Sequence, residues 1–282
     1  MAGLIPNNAA LNGATITRQQ LLLPYPQYTG ITLAGVPIGK QYYHGFQSKV
    51  TKRYAQGLTF VASYTLMKNL EQVSLLNAQY FNLADPGATR LEKRSAGQID
   101  LPQKFVIAGV YDLPFGQSRR FGATLPKAVD WLVGGWQLNF NITYQSGWVG
   151  SHPNAKQVKP GSPKLSSPSF TKWFDTSLWD DPATGARVKS QEPYTLRDYP
   201  TLFSDVRLPG YKNWDFSVNK YFSLREPLKL QFRCEMINAF NHPWFPNPAS
   251  GATDVTSPNF GRLDPTQRNL PRWFKMALVL NW

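Results

Sequence analysis

The chain reads as all-β: an antiparallel, up-and-down transmembrane β-barrel segment of about seven to eight strands with long extracellular loops. Three observations carry this. Large apolar side chains recur at every second position in segment after segment, and a period of two is a strand. Aromatic residues make up 14% of the chain, with 9 Trp, 13 Tyr and 17 Phe, an enrichment that favours strands and interfaces over helical bundles. The C-terminus alternates to its final residue. Phe274, Met276, Leu278, Leu280 and Trp282 are large and apolar, separated by Lys275, Ala277, Val279 and Asn281. Termini of soluble domains tend to fray in water, whereas an aromatic at a strand end suits the interfacial girdle of a membrane barrel. A buried last strand of a soluble sandwich is the competing reading.

Residues 1–41 read as an N-terminal loop with a partial strand, and 42–282 as the barrel segment. Leu21-Leu22-Leu23-Pro24-Tyr25-Pro26 is a candidate eighth strand, interrupted by prolines that cannot donate to a ladder. From Tyr42 to Tyr54 the even positions are Tyr42, His44, Phe46, Ser48, Val50, Lys52 and Tyr54, more apolar than the odd ones. Lys52 lies near a strand end, where its ammonium can snorkel. Ala55-Gln56-Gly57 is a tight turn into Leu58–Lys68. After a long polar stretch, Asn69 to Pro102, comes Lys104–Leu113, then a turn region whose residues 126–133 read as a short helix.

The clearest strand follows. Trp136, Leu138, Phe140, Ile142 and Tyr144 alternate with Gln137, Asn139, Asn141, Thr143 and Gln145. One face is wholly apolar with aromatic ends and the other wholly polar, as expected between lipid and a watery lumen. A very long connection, Gly147 to Gly210, leads to Trp214–Phe222, a short turn at 223–227, and Leu228–Phe240. A last loop, Asn241 to Pro271, precedes the terminal strand. The connections alternate in length. Those at 55–57, 114–135 and 223–227 form the shorter set, and those at 69–102, 147–210 and 241–271 the longer. A meander collects each set at one end, and outer-membrane barrels pair short periplasmic turns with long external loops.

Composition agrees. Mean hydropathy is -0.36, which a barrel tolerates because lipid-facing and lumen-facing residues average out. No apolar run approaches the ~18 residues of a spanning helix. The single cysteine, Cys234, permits no internal disulfide and falls on the proposed lipid face as an apolar filler. Net charge is +13, but the basic residues are dispersed, so nucleic acid is not expected as a partner. The start Met-Ala-Gly-Leu-Ile-Pro lacks a signal peptide's basic and apolar regions.

No catalytic constellation appears, so an enzyme is not expected. His44, His152 and His242 lack metal spacing, and no cofactor is expected. Arg233 and Glu235, two apart on one strand, read as a lumenal ion pair. Asp180-Asp181 lacks the spaced ligands of a calcium loop. Trp148, Trp173 and Trp179 lie in the longest loop, either as stacking contacts for an unknown small ligand or as ordinary loop packing.

The order of segments resembles the C-terminal barrel of TonB-dependent receptors, in particular the Oar-like group that carries a carboxypeptidase-regulatory-like domain. The residues that carry it are Leu23-Pro24-Tyr25-Pro26-Gln27-Tyr28-Thr29-Gly30, the run Tyr43 to Tyr54, and Gly57 to Lys68, in which Met67 stands where that group has Ser. Tyr111-Asp112-Leu113-Pro114-Phe115-Gly116, Gly134-Gly135-Trp136-Gln137, Gln145-Ser146-Gly147, Phe232 to Pro243 and Phe260-Gly261-Arg262-Leu263 continue it. The ordered sum spans most of 21–282. The resemblance implies an outer-membrane receptor that takes up a scarce nutrient, driven by the inner-membrane TonB complex through a part N-terminal to this chain. It also implies that Phe274, Met276, Leu278, Leu280 and Trp282 are an address read by the barrel assembly machinery. Outer-membrane lipid and lipopolysaccharide are the expected surroundings. Such receptors close about twenty-two strands around a plug, so the expectation is a C-terminal piece. The alternatives are a self-contained small porin or adhesin, and a soluble β carbohydrate-binding module.

Overall fold

A computed structural model of the chain describes residues 11–22, 25–28, 37, 39–75, 91–97, 99–117, 119–191, 197–225 and 227–282. Among the described residues ten strands are β1 (Lys40–Ala55), β2 (Leu58–Leu75), β3 (Leu91–Ser95), β4 (Gln103–Asp112), β5 (Trp136–Gln145), β6 (Val149–Ser151), β7 (Leu202–Arg207), β8 (Tyr211–Arg225), β9 (Leu228–Ile237) and β10 (Trp273–Asn281). Helices are short, α1 (Arg18–Leu21) and α2 (Lys127–Val133). The main sheet is antiparallel, in the order β1-β2-β4-β5-β8-β9-β10, with β3 also on β2. The small β6-β7 ribbon stands apart from it. The seven segments read from alternation are the seven strands of the main path. Among the described residues β1 pairs only with β2 and β10 only with β9, so the sheet is an open arc.

Register aligns like with like. Residues directly opposite share a face, and the row Phe274, Met236, Phe216, Phe140, Gly109, Phe60 crosses six strands. One step towards the C-terminal end of β10 lies Met276, Cys234, Val218, Leu138, Tyr111, Leu58. The opposite face carries Lys275, Glu235, Ser217, Asn139, Val110 and Thr59 in one row. The row with Ala277 adds Arg233, Asn219, Gln137 and Asp112. Gly109 is small for a reason. A Cβ there would lie 2.6 Å from the Phe140 ring and 2.5 Å from the Thr59 carbonyl, so glycine lets Phe140 and Phe60 close over the strand.

The apolar face looks outward. Met276 and Leu278 are 69% and 68% exposed and Phe46 60%, while Asn219 and Gln231 on the polar face are buried. The buried apolar residues lie instead among the long connections: Phe174, Leu178, Trp179, Phe203, Val206, Val255 and Phe260 form one cluster. The loops from 146 and from 238 therefore fold together into a cap with its own core.

Several boundaries differ from the sequence reading. β2 runs on to Leu75, and its far end pairs with β3, inside a stretch read as loop. β9 stops at Ile237 rather than Phe240, because Asn238 turns left-handed at φ 48°. Phe240 still packs on the outer face, 5.2 Å from Trp214. Tyr54 leaves the apolar face. A register shift between Lys52 and Ala55 inserts one extra residue, and its hydroxyl donates to Asp112 on the polar side, 2.9 Å away. The candidate eighth strand at 21–26 lies partly outside the described residues. Of its described part, Leu21 ends helix α1 and Tyr25 opens a turn closed by Tyr28 N–H on its carbonyl.

Candidate functional site

The cap grows from a tight neck. Gly147 crosses the returning chain so closely that a Cβ would meet the Leu208 carbonyl oxygen at 1.5 Å, which explains the glycine of Gln145-Ser146-Gly147. Beyond the neck, Asn154 laces the two loops. Its N–H donates to the Thr253 carbonyl at 2.9 Å, its side-chain amide donates to Asp254 at 3.2 Å, and its side-chain oxygen accepts from Val255 N–H at 3.1 Å. Trp173 N–H donates to Gly261 and Leu263 N–H to Phe170. Asn238 is fully buried and ties the start of the second loop to its end. It accepts from His242 N–H at 2.9 Å and donates to the Leu270 carbonyl at 3.0 Å.

Asp100 fastens the wall to the cap. It has no exposed surface, and its carboxylate accepts from Asn69 N–H at 2.8 Å, Lys68 Nζ at 3.1 Å and the Arg207 guanidinium. Arg207 also donates to the Asp100 and Gly147 carbonyls. Burial pushes the Asp100 carboxyl up, but the bonds from Asn69, Arg207 and Lys68 together outweigh it and hold its pKa below the ordinary value of 3.8. β3 adds a second tie, where Arg94 pairs with Glu71 at 2.9 Å and also donates to Thr201 beside β7.

Below this junction opens a cleft of about 440 Å³. Tyr64, Phe105, Tyr144 and Lys212, one cross-strand row of the outer face, line it with Gln103 and Arg207. Rings, an amide and cations around one space suit a ligand with a flat apolar part and a polar or anionic head.

The three loop tryptophans are placed differently from one another. Trp179 has no exposed surface and donates its indole N–H to Ala155 at 2.9 Å. It stands among Phe174, Phe203, Phe260 and His152, so it takes the packing role and offers no ring to a ligand. Trp173 is half-buried and donates to the Arg207 carbonyl at 2.8 Å. Trp148 is half-buried against Trp244, 5.8 Å between rings. None of the three lines the 440 Å³ cleft. Its residues escaped sequence reasoning because they are ordinary strand aromatics, brought together by register alone. Asp100 gave no signal either, since its partners lie 31, 32 and 107 residues away.

The terminal residues Phe274, Met276, Leu278 and Leu280 lie in β10 on the outward face, opposite Met236, Cys234, Phe232 and Leu230. Trp282 follows the strand and is 88% exposed. Arg233 and Glu235 do approach, at 3.6 Å on the polar face. Among the described residues no group of three or more His, Cys, Asp or Glu side chains is placed to hold a metal. Asp181 caps the Ala183 and Thr184 N–H groups and Asp180 pairs with Arg187, so both serve the loop.

No helix among the described residues is long and apolar enough to cross a membrane, which leaves crossing by strands untouched. No curated protein matches the chain. The family model for an outer membrane beta barrel domain matches residues 3–275, and an apolar outward face, a polar inward one and loops gathered at one end are what such a domain requires. The chain belongs to the outer membrane beta barrel domain family.

Proposed function

We propose that the chain forms the wall arc and outer cap of an outer-membrane receptor that takes up a scarce nutrient with TonB-type energy coupling. The open arc is the observation that supports it best. Unpaired backbone groups at a sheet edge are not tolerated in lipid, so β1 and β10 need neighbours, as they would have in a larger barrel. The ordered motifs resembling TonB-dependent receptors point the same way. The folded cap suits ligand capture on the outside, while short turns and the C-terminus lie at the periplasmic end. In this reading Phe274, Met276, Leu278, Leu280 and Trp282 present the assembly address, and lipid and lipopolysaccharide surround the outward face.

Refolding the chain alone in detergent and recording planar-bilayer currents tests this. The expected result is no discrete unit conductance and no heat-modifiable monomer band, since the arc leaves two edges open. A stable pore with a heat-modifiable band would contradict it and establish a small self-closing barrel.

A further inference from the structure

Helix α2 occupies an unusual place. It belongs to the periplasmic connection between β4 and β5, yet it lies against the lipid-facing side of the wall. Trp131 packs at a tilt against Phe222 with ring centres 4.7 Å apart, and Phe222 shares its face with Leu230 and Leu280. The Trp136 indole N–H donates to the Leu132 carbonyl at 2.9 Å. Lys220 completes the attachment. It is the charged residue in the row Leu278, Phe232, Lys220, Trp136, and α2 covers it to 1% exposure. Its ammonium donates to the carbonyls of Leu132, at 3.1 Å, and Gly134 at the helix C-terminus. The rings of Trp136 and Phe222 lie 5.1 and 5.0 Å from it. A cation among C-terminal carbonyls complements the helix dipole, and aromatic faces add to it.

The helix buries little of itself. Leu132 keeps 63% of its surface, Trp131 51%, and Val129 and Val133 41% each. This apolar surface continues the outward face of the wall at the level of the Trp136 and Phe222 rings. The same connection carries three cations, Arg119, Arg120 and Lys127, all exposed. Its one acid, Asp130, is turned into a bond from Gln117 N–H. An apolar helix face flanked by basic residues is the pattern of a segment lying in a membrane interface.

We propose that residues 113–135 are an interfacial foot. α2 seats Val129, Trp131, Leu132 and Val133 at the headgroup–acyl boundary of the periplasmic leaflet, and Arg119, Arg120 and Lys127 meet phosphodiester headgroups of glycerophospholipid. Lys220 holds the foot to the wall, which explains a buried lysine on a lipid-facing row. The inference rests on the outer-membrane reading, and the test separates the two.

The full chain with Cys234→Ser carries a single nitroxide at Leu132→Cys, Leu278→Cys or Thr184→Cys. It is reconstituted as part of the complete barrel in phosphatidylethanolamine–phosphatidylglycerol vesicles, and collisions with oxygen and with a water-soluble nickel chelate are compared. The expected oxygen-to-nickel ratio is severalfold higher at 132 and 278 than at 184 in the cap. Nickel access at 132 equal to that at 184, with 278 still lipid-like, would overturn the foot and leave the membrane wall standing. Low collision rates with both reagents at 132 would overturn it in favour of contact with a second protein copy. A water-like ratio at 278 would overturn the membrane reading itself. Neutralising Arg119, Arg120 and Lys127 together is expected to lower the ratio at 132 in the anionic vesicles, and no change would overturn the charged half of the proposal.

Discussion

In the wall, Met276 and Leu278 lie more than two-thirds exposed while Asn219 and Gln231 are buried. In the cap, Trp179, Phe174 and Phe203 are buried, while Lys156 and Asp198 pair at the surface with 64% and 57% of their side chains exposed. The same residue types are sorted in opposite senses within one chain. A sheet that turns its apolar rows outward gains nothing in water, because burial of apolar surface is the main favourable term in folding. It is stable only where the surroundings are themselves apolar. The cap is built as a water-soluble unit, with an aromatic core and loops laced by Asn154 and Asn238. The boundary between these two regimes falls at the row Tyr64, Phe105, Tyr144, Lys212. From Trp136 to Tyr144 the apolar face of β5 covers about 27 Å along the strand, which strand tilt brings near the ~25 Å apolar band of outer-membrane barrels.

Variants that reverse the sorting break this comparison, and the largest effect is expected in the cap. Trp179→Ala empties the centre of the cluster and should cost about 3–5 kcal/mol there. Limited proteolysis is then expected to cut within 147–210 while the wall remains protected. In the wall, Phe216→Arg puts a charge on the lipid face and should cost about 2–4 kcal/mol. Asn141→Arg, on the polar face, should stay within about 0.5 kcal/mol. Urea unfolding of the complete barrel from vesicles measures both, and equal costs would contradict an inward-outward distinction.

The junction between the two regions comes next. Asp100→Asn leaves Arg207 and Lys68 without their anion. The cost is expected at about 2–3 kcal/mol, below the ~3–5 of fully enclosed pairs because Lys68 is half-exposed. The same bond gives a pH dependence. The Asp100 pKa is depressed on folding, so its contribution is complete above the ordinary value of 3.8 and fades as the pH falls through the lower folded value. Proteolysis of the cap from pH 6 down to pH 2.5 should show wild type loosening only at the acid end, and the asparagine variant loosened throughout. Gly109→Ala should cost about 1–2 kcal/mol by crowding Phe140 and Phe60. Glu235→Gln should cost under about 1 kcal/mol, because the pair with Arg233 is wide and partly solvated.

The wall was legible because alternation records which side of a strand meets which solvent. Trp136 to Gln145 states it residue by residue, and all seven strands of the main path could be found that way. The misreadings have local causes. Tyr54 follows the alternation in sequence but crosses to the polar face at a bulge, which no period-two pattern registers. Asn238 ends β9 three residues before Phe240 through a left-handed turn, although Phe240 keeps its place on the outer face. β3 was missed because Leu91-Glu92-Lys93-Arg94-Ser95 does not alternate. The cap was illegible for a different reason. Its core is assembled from residues as distant as Ala155 and Phe260, without periodicity, so Trp179 looked as available to a ligand as Trp148. The cleft and the Asp100 junction depend wholly on register and on contacts across the chain.

Cysteine scanning across β5 in outer membranes, with Cys234 replaced by serine, tests the central claim most directly. A water-soluble thiol reagent is expected to label positions 139, 141 and 143 and to spare 138, 140 and 142. Labelling that ignores the alternation, or that favours the even positions, would contradict a wall with lipid on its apolar face.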